Sequence, residues 1–382
     1  MRVAVLGGGP AGAFTAERLA AAGVSTVLLD ERLAWEKPCG GGLTYKAYRQ
    51  YPFLVETGTP KKFITHTRLG APGAAQVSLT LDRPVVIYSR KELNGMLLDR
   101  AAGAGVQIEK TRLLSVARSG KGWRVQTREG TLTTDFIVVA TGARNPLRDL
   151  ATALKAEDAM SALGYYVPGE QNSIDIQFLA GLAGYIWVFP RCGHLSVGIC
   201  GKGETASSLR KRLEGYMAER GMAFAHADFY SHLLPCLNTP AWSTNRVAGP
   251  GWLAVGDAAG LVDPITGEGL YYALRSADLA AQTILADNPS LAESAYRALL
   301  RRDFAHDLEY ASRLANRIFH GKLLFGAIPT RMVQFTRRSP AFRSAIQDLF
   351  AGTQPYSGLK SRLLKNLNRS LLELAMSPVK QQ

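Results

Sequence analysis

Four apolar residues in a row, Val3 to Leu6, run into Gly7-Gly8-Gly9-Pro10-Ala11-Gly12. A short unbroken apolar run predicts a strand buried on both faces. Past the glycines, Ala16, Leu19 and Ala20 recur at helical spacing and predict a helix from about Ala11 to Ala22. Thr26-Val27-Leu28-Leu29 predicts a second strand, ending in Asp30. Residues 51–88, rich in Thr, Val, Gly and Pro, read as strands joined by turns. Leu93, Leu97 and Leu98 share one face of a helix starting at Arg90, and the chain from Gly103 to Glu109 leads into another strand. Trp123 to Thr127 and Thr131 to Thr134 flank Glu129-Gly130 as a hairpin. Phe136-Ile137-Val138-Val139 is again a buried strand, ending in Ala140-Thr141-Gly142-Ala143.

Alternation marks Ser173 to Leu179 and Ile186 to Phe189, so residues 160–200 read as strands. Helices are predicted over 204–220 and from about Glu268 to Asp287, and the rest is mostly helical. This order predicts an α/β fold. A discontinuous Rossmann-like domain is assembled from 1–50, 85–150 and 240–290, with a β-rich substrate lobe inserted as 51–84 and 151–239. A basic helical C-terminal region covers 291–382. The 382 residues suffice for two or three cores.

The glycine turn carries the first chemistry. Gly7 permits the turn, Gly9 lets a pyrophosphate approach the backbone, and Gly12 allows close helix–strand packing. The helix that follows aims its first N–H groups at phosphate. Asp30, eighteen residues beyond Gly12, stands where a carboxylate accepts from an adenosine ribose, with Glu31 as the neighbouring candidate. About 250 residues later a second signature appears: Leu253-Ala254-Val255-Gly256-Asp257, then Asp263-Pro264-Ile265-Thr266-Gly267-Glu268-Gly269. Asp257 can accept from a ribityl or ribose hydroxyl. Pro264 stops the chain, and Gly267 to Gly269 start a long helix whose free N–H groups favour an anionic flavin hydroquinone. The pair implies FAD. Gly256 and Gly142, at the ends of two apolar strands, join the cofactor contacts. Arg90, placed where the helix macrodipole disfavours a surface cation, is a candidate partner for FAD phosphate or ribityl groups.

Charge and cysteines narrow the class. Net charge is +14, and from Tyr310 to Gln382 twelve Lys/Arg face only Asp348 and Glu373. No nucleic-acid-binding motif accompanies this excess, so nucleic acid is excluded as a partner. Cys39, Cys192, Cys200 and Cys236 show no C-x-x-C spacing, and the six histidines are scattered, so no metal site is expected. The cysteines suit a reducing cytosol. Met1 runs directly into a buried strand, which predicts no signal peptide, and no run approaches the roughly 20 apolar residues of a spanning helix. A cytoplasmic protein is expected, with a peripheral position at the inner face of the membrane as an option. The pattern specifies no oligomer.

Four segments together resemble the FAD-dependent geranylgeranyl reductases, flavoproteins of the p-hydroxybenzoate hydroxylase-type fold. They are the Gly7–Gly12 turn, Lys37-Pro38-Cys39-Gly40-Gly41-Gly42, Gly184-Tyr185-Ile186-Trp187-Val188-Phe189-Pro190, and Gly256-Asp257 through Gly269 with Tyr271-Tyr272-Ala273-Leu274. The second and third are the more specific. The resemblance spans about residues 1–290 and implies reduction of isoprenoid double bonds, with hydride from reduced flavin N5 reaching a polyprenyl lipid or other prenylated substrate. Period two puts Tyr185, Trp187 and Phe189 on one face of a strand. Such a face lines a slot for an apolar polyene, or it is an ordinary core-facing aromatic stripe. Gly40 and Gly41 let the backbone approach an isoalloxazine, and Cys39 is either a proton donor or a small packing residue.

Two rival activities share the fold: an oxygen-using monooxygenase or halogenase, and a flavoprotein electron carrier to quinone. Halogenases have a Trp-x-Trp-x-Ile-Pro strand, whereas Tyr185 and Phe189 stand here. No second dinucleotide turn appears, so the electron donor is NADPH docking transiently or a ferredoxin. In the tail, Arg331, Arg337, Arg338 and Arg343 cluster with Phe335 and Phe342, and Lys360, Arg362, Lys365 and Arg369 interleave with Leu359, Leu363, Leu364, Leu367, Leu371 and Leu372. That amphipathic pattern suits either an anionic membrane surface or a helical cap on the enzyme.

Overall fold

The computed structural model describes residues 1–147, 149–286, 291–323, 326–359 and 361–362. The chain divides into two units. The first comprises Met1–Lys37, Ser89–Met160 and Leu233–Ser312, and the second Pro38–Tyr88, Ser161–His232 and the described residues from Arg313 onward.

The first unit is built on a six-stranded sheet. Its order is Ala248–Gly249, Trp252–Ala254, Phe136–Val139, Arg2–Leu6, Ser25–Asp30 and Gln107–Lys110. All neighbours are parallel except the first pair. The apolar runs read as doubly buried strands are just that: Val3 to Leu6 and Ile137 to Val139 are wholly inaccessible. Helix Pro10–Ala21 packs against helices Arg90–Gly103 and Leu270–Leu285. Ser89 caps the second of these, its Oγ accepting from the Glu92 N–H at 3.2 Å, as the Ser-x-x-Glu pattern dictates. Strands Leu113–Ser119, Gly122–Thr127 and Thr131–Thr134 form a separate antiparallel meander.

The second unit holds an eight-stranded mixed sheet, ordered Asp228–Pro235, Ala159–Pro168, His194–Lys202, Ala183–Pro190, Ser173–Phe178, Lys62–Ala71, Ala74–Ile87 and Gly42–Leu43. One face, carrying Tyr165, Ile186, Val188, Val197 and Ile199, packs with Leu209, Leu213 and Met217 of helix Ala206–Glu219. Arg68 braces two neighbouring strands with a two-pronged bond to buried Asp175, both contacts at 2.7 Å.

Several boundaries differ from the sequence reading, each for a local reason. Residues 38–50 go with the second unit, because Gly42–Leu43 pairs with Ile87 and Val86 and Tyr48 Oη donates to the Pro84 carbonyl at 2.9 Å. Residues 291–312 go with the first unit, where Tyr296 Oη donates to the Ala254 carbonyl at 2.8 Å and Arg275 pairs with Asp303. Among the described residues, the later C-terminal helices go with the second unit. Helices Ile328–Arg338 and Pro340–Ala351 pack on strand Ala74–Ile87. Phe335 and Phe342 are buried there, their rings 5.7 Å apart. The apolar stripe of these two helices is therefore occupied by the sheet, the packing that the helical-cap alternative expected. Arg337, Arg338 and Arg343 lie on the exposed side. Lys360, Lys365, Arg369 and the leucines from Leu363 to Leu372 lie outside the described residues. No described helix is long and apolar enough to cross a membrane.

Candidate flavin site and aromatic wall

In the first unit the Gly7–Gly12 turn has the geometry its sequence predicts. Gly7 adopts φ +117°, and a β-carbon there would lie 2.3 Å from the Ala140 carbonyl oxygen. A β-carbon on Gly12 would lie 1.9 Å from the Gly7 carbonyl oxygen, so only glycine lets the helix sit this close to the strand. Gly9 differs: nothing lies within 4 Å of its missing side chain. It is the N-cap, with Pro10 at the first helical position, where a missing N–H costs nothing. The Ala11 and Gly12 N–H groups precede the first bond of the helix, which Ala13 N–H makes to the Gly9 carbonyl at 2.9 Å.

Asp30 is more committed than its position suggests. Its Oδ2 accepts from the Gly8 N–H and its Oδ1 from the Arg32 and Leu33 N–H groups, all at 2.7 Å. The carboxylate ties the turn to the end of the neighbouring strand, and Oδ2 keeps acceptor capacity for a ligand hydroxyl. Glu31 is half exposed and lies 3.7 Å from Arg112.

Arg90 is only 3% exposed. Its Nη2 donates to Asn94 Oδ1 at 3.2 Å, and its Nε has no hydrogen-bond partner. A buried guanidinium facing a neutral amide, with a donor unspent, is a poor structural solution without a further acceptor. Glu36, which the sequence did not flag, caps the same helix by accepting from the Arg90 and Lys91 N–H groups at 2.8 and 3.2 Å.

The second signature also closes on itself in part. Gly256 and Gly267 take φ of +57° and +70°. Asp263, next to Pro264, accepts from the Ile265 and Thr266 N–H groups at 2.8 and 3.0 Å and shapes the turn. The Asp257 carboxylate pairs with Lys37 Nζ at 3.0 Å. Helix Leu270–Leu285 starts after Gly269. The free N–H groups expected there are partly taken, since Glu268 Oε1 accepts from the Tyr271 N–H at 3.1 Å. That carboxylate offsets some of the positive helix end. Gly142, at φ +78°, leaves open space apart from Lys37 Nζ. The turn at Gly9, the open face at Gly142 and the unspent Arg90 donor fit a dinucleotide with two phosphates. Among the described residues no group of His, Cys, Asp and Glu is arranged to hold a metal ion.

In the second unit the two reductase-like segments meet. Tyr185, Trp187 and Phe189 share one face of strand Ala183–Pro190, while Ile186 and Val188 enter the core on the other. Trp187 is 6% exposed, and its indole covers Gly198, where a β-carbon would lie 2.2 Å from the ring. Tyr185 and Phe189 are half-buried. The Phe189 ring lies over Gly40 and Gly42; β-carbons there would fall 3.1 and 2.9 Å from it. Gly41 has φ +84°, with the Tyr88 carbonyl against the place of its β-carbon. Cys39 is half-buried, and its Sγ accepts from the Gly41 N–H at 3.2 Å.

Sequence reasoning missed what holds this loop. Arg191 is fully buried; its Nη2 donates to the Cys39 carbonyl and its Nε to the Gly40 carbonyl at 3.4 Å. Ser196 Oγ also donates to the Cys39 carbonyl, at 3.1 Å. With its one proton so used, Ser196 accepts from Tyr230 Oη at 2.9 Å and Trp187 Nε1 at 3.5 Å. Burial pushes the Tyr230 phenol well above its ordinary range, which keeps it a donor. The only available signal was a cation directly following an alternating aromatic strand.

Residues 1–166 match the family described as FAD binding domain. Residues 1–166 are thus an FAD-binding domain. Among known proteins, the chain is similar to geranylgeranyl reductases and to a menaquinone reductase. It is 27% identical to the geranylgeranyl diphosphate reductase of Nicotiana tabacum over 324 residues, 75% of this chain and 66% of that one. It is 29% identical to the menaquinone reductase of Mycolicibacterium smegmatis over 344 residues, 82% and 83% of the two chains. A geranylgeranyl bacteriochlorophyll reductase-like protein from Thermoplasma acidophilum has the same fold, with a TM-score of 0.79 at 21% identity over 97% of this chain and 98% of that one.

Proposed function

We propose that this protein is an FAD-dependent reductase of isoprenoid C=C bonds. The observation that carries the reading is the packing of Phe189 over Gly40 and Gly42, which joins the two reductase-like segments in one body. Gly7, Gly9 and Gly12 hold the pyrophosphate end of the cofactor, with Asp30 or Glu31 at the adenosine ribose. Arg90, Gly142, Gly256 and Asp257 serve its phosphate and ribityl portion, with Lys37 steadying Asp257. Pro264, Gly267 and Gly269 form the turn beside the ring, and Gly40 and Gly41 supply a glycine backbone it can approach. Reduced FAD supplies hydride from N5. Tyr185, Trp187 and Phe189 bind the chain by apolar contact and exclude water, because an isolated alkene offers no polar handle. Cys39 is the candidate donor of the proton to the second carbon.

The substrate is a polyprenyl lipid or prenylated small molecule, and the electron donor is NADPH docking transiently or a ferredoxin. The exposed arginines Arg337, Arg338 and Arg343 hold the protein at an anionic membrane. Flotation should rise with anionic lipid and fall with salt, each close basic residue contributing roughly 1 kcal/mol. Equal partition into neutral and anionic vesicles would remove that role. Arg90→Met should raise the FAD dissociation constant roughly 10- to 100-fold, as expected for a charged hydrogen-bond donor lost. Retention of FAD at parental affinity, measured by fluorescence titration of the apoprotein, would take Arg90 out of the site. The reaction itself is tested by mass spectrometry of a geranylgeranyl substrate after incubation with reduced holoprotein. Two hydrogens gained per double bond support the reading, and an added oxygen or halogen supports the rival activities.

A further inference from the structure

We infer that Arg191 is a positioning residue. It clamps the Cys39–Gly42 loop and, through that loop, seats Phe189 in the aromatic wall. The inference rests on the reading of that wall as a prenyl site.

Three glycines in succession cannot hold one conformation unaided, since glycine has the most freedom to lose on ordering. The loop is nonetheless fixed, with Gly41 in the left-handed region and the Phe189 ring resting on Gly40 and Gly42. A buried cation is tolerated only where strong bonds offset its desolvation. Arg191 spends its guanidinium on main-chain oxygens, those of Cys39 and Gly40, and lies over the Tyr166 ring at 4.9 Å. Its own N–H donates to the His194 carbonyl at 2.8 Å, which anchors the cation at the strand end. Ser196, itself held by Tyr230 and Trp187, adds a second donor to the Cys39 carbonyl. Phe189 and Arg191 stand two residues apart, so one strand end carries both the ring and the clamp for the loop beneath it. The rigid fork of an arginine can serve two carbonyls in fixed geometry; a lysine ammonium has the charge but not the fork.

The test uses the full-length holoprotein with the exposed thiol removed by Cys192→Ser, because Cys200 and Cys236 are buried and Cys39 is then the accessible cysteine. Arg191→Gln and Arg191→Lys are compared with that parent. Labelling of Cys39 by a disulfide reagent should accelerate roughly 10- to 100-fold in Arg191→Gln and by less in Arg191→Lys. On a geranylgeranyl substrate, kcat should fall about tenfold or more while KM moves little, with partial rescue by lysine. Should the glutamine variant fail to fold, the lysine variant decides. Labelling within about twofold of the parent in a folded variant would overturn the clamp, whatever the turnover. Accelerated labelling in a protein whose parent reduces no prenyl chain would leave the clamp standing and defeat the prenyl reading.

Discussion

Gly9→Ala should yield a folded protein that binds FAD poorly, whereas Gly12→Ala should damage the fold and the cofactor site together. The two glycines lie three residues apart in one turn, yet their surroundings are opposite. At Gly12 a β-carbon would lie 1.9 Å from the Gly7 carbonyl oxygen and 3.0 Å from the Ala140 β-carbon. The nearer is main chain of the turn that follows the first strand and cannot swing aside. The helix must move off the sheet, at about 3 kcal/mol or more, beyond the ordinary overpacking range. At Gly9 the backbone is extended, with φ −70° and ψ −179°, which any residue adopts, and no atom stands within 4 Å. An alanine there costs at most about 1 kcal/mol as a poorer N-cap. It does project a methyl into the open space proposed for a phosphate. Thermal melting of the apoproteins together with FAD titration separates the outcomes. A Gly9→Ala protein that binds FAD at parental affinity would show that the open space is not the phosphate site.

Trp187→Ala should have the second largest effect, on stability and on turnover. The indole is almost wholly buried, fills the space over Gly198 and donates to Ser196. Its removal should destabilise the second unit by about 3–5 kcal/mol, as for other buried large-to-small changes. Below the lowered melting temperature, the FAD contacts assigned to other residues should survive, so flavin content should be unchanged. Activity on long prenyl chains should fall more than activity on short ones, because the wall offers area rather than a specific bond. Equal turnover across chain lengths in the folded variant would leave Trp187 a core residue only.

Much of this was legible because it is local. The strand–turn–helix at the N-terminus is written in contiguous residues, and a glycine's role follows from the turn it makes. The alternation of Tyr185, Trp187 and Phe189 with Ile186 and Val188 likewise fixes two faces of one strand. What was not legible depends on distant partners. Lys37 meets Asp257 across 220 positions, and Glu36 reaches Arg90 across 54. Nothing local to Arg191 marks it as buried, and only the fold surrounds it. Asp30 sits where a ribose acceptor was expected, but the number of its lone pairs spent on Gly8, Arg32 and Leu33 emerges only from the loop geometry. The C-terminal helices show the limit most clearly. Phe335 and Phe342 give the same amphipathic pattern whether the stripe meets a bilayer or a sheet, and only the neighbouring strand Ala74–Ile87 decides.

The most direct measurement is an anaerobic single turnover. Holoprotein reduced chemically, freed of excess reductant and mixed with a geranylgeranyl substrate should regain the oxidised flavin spectrum without oxygen, as the substrate gains two hydrogens at one double bond. Flavin that stays reduced until oxygen is admitted, and then yields an oxygenated or halogenated product or none, would contradict the proposed reductase.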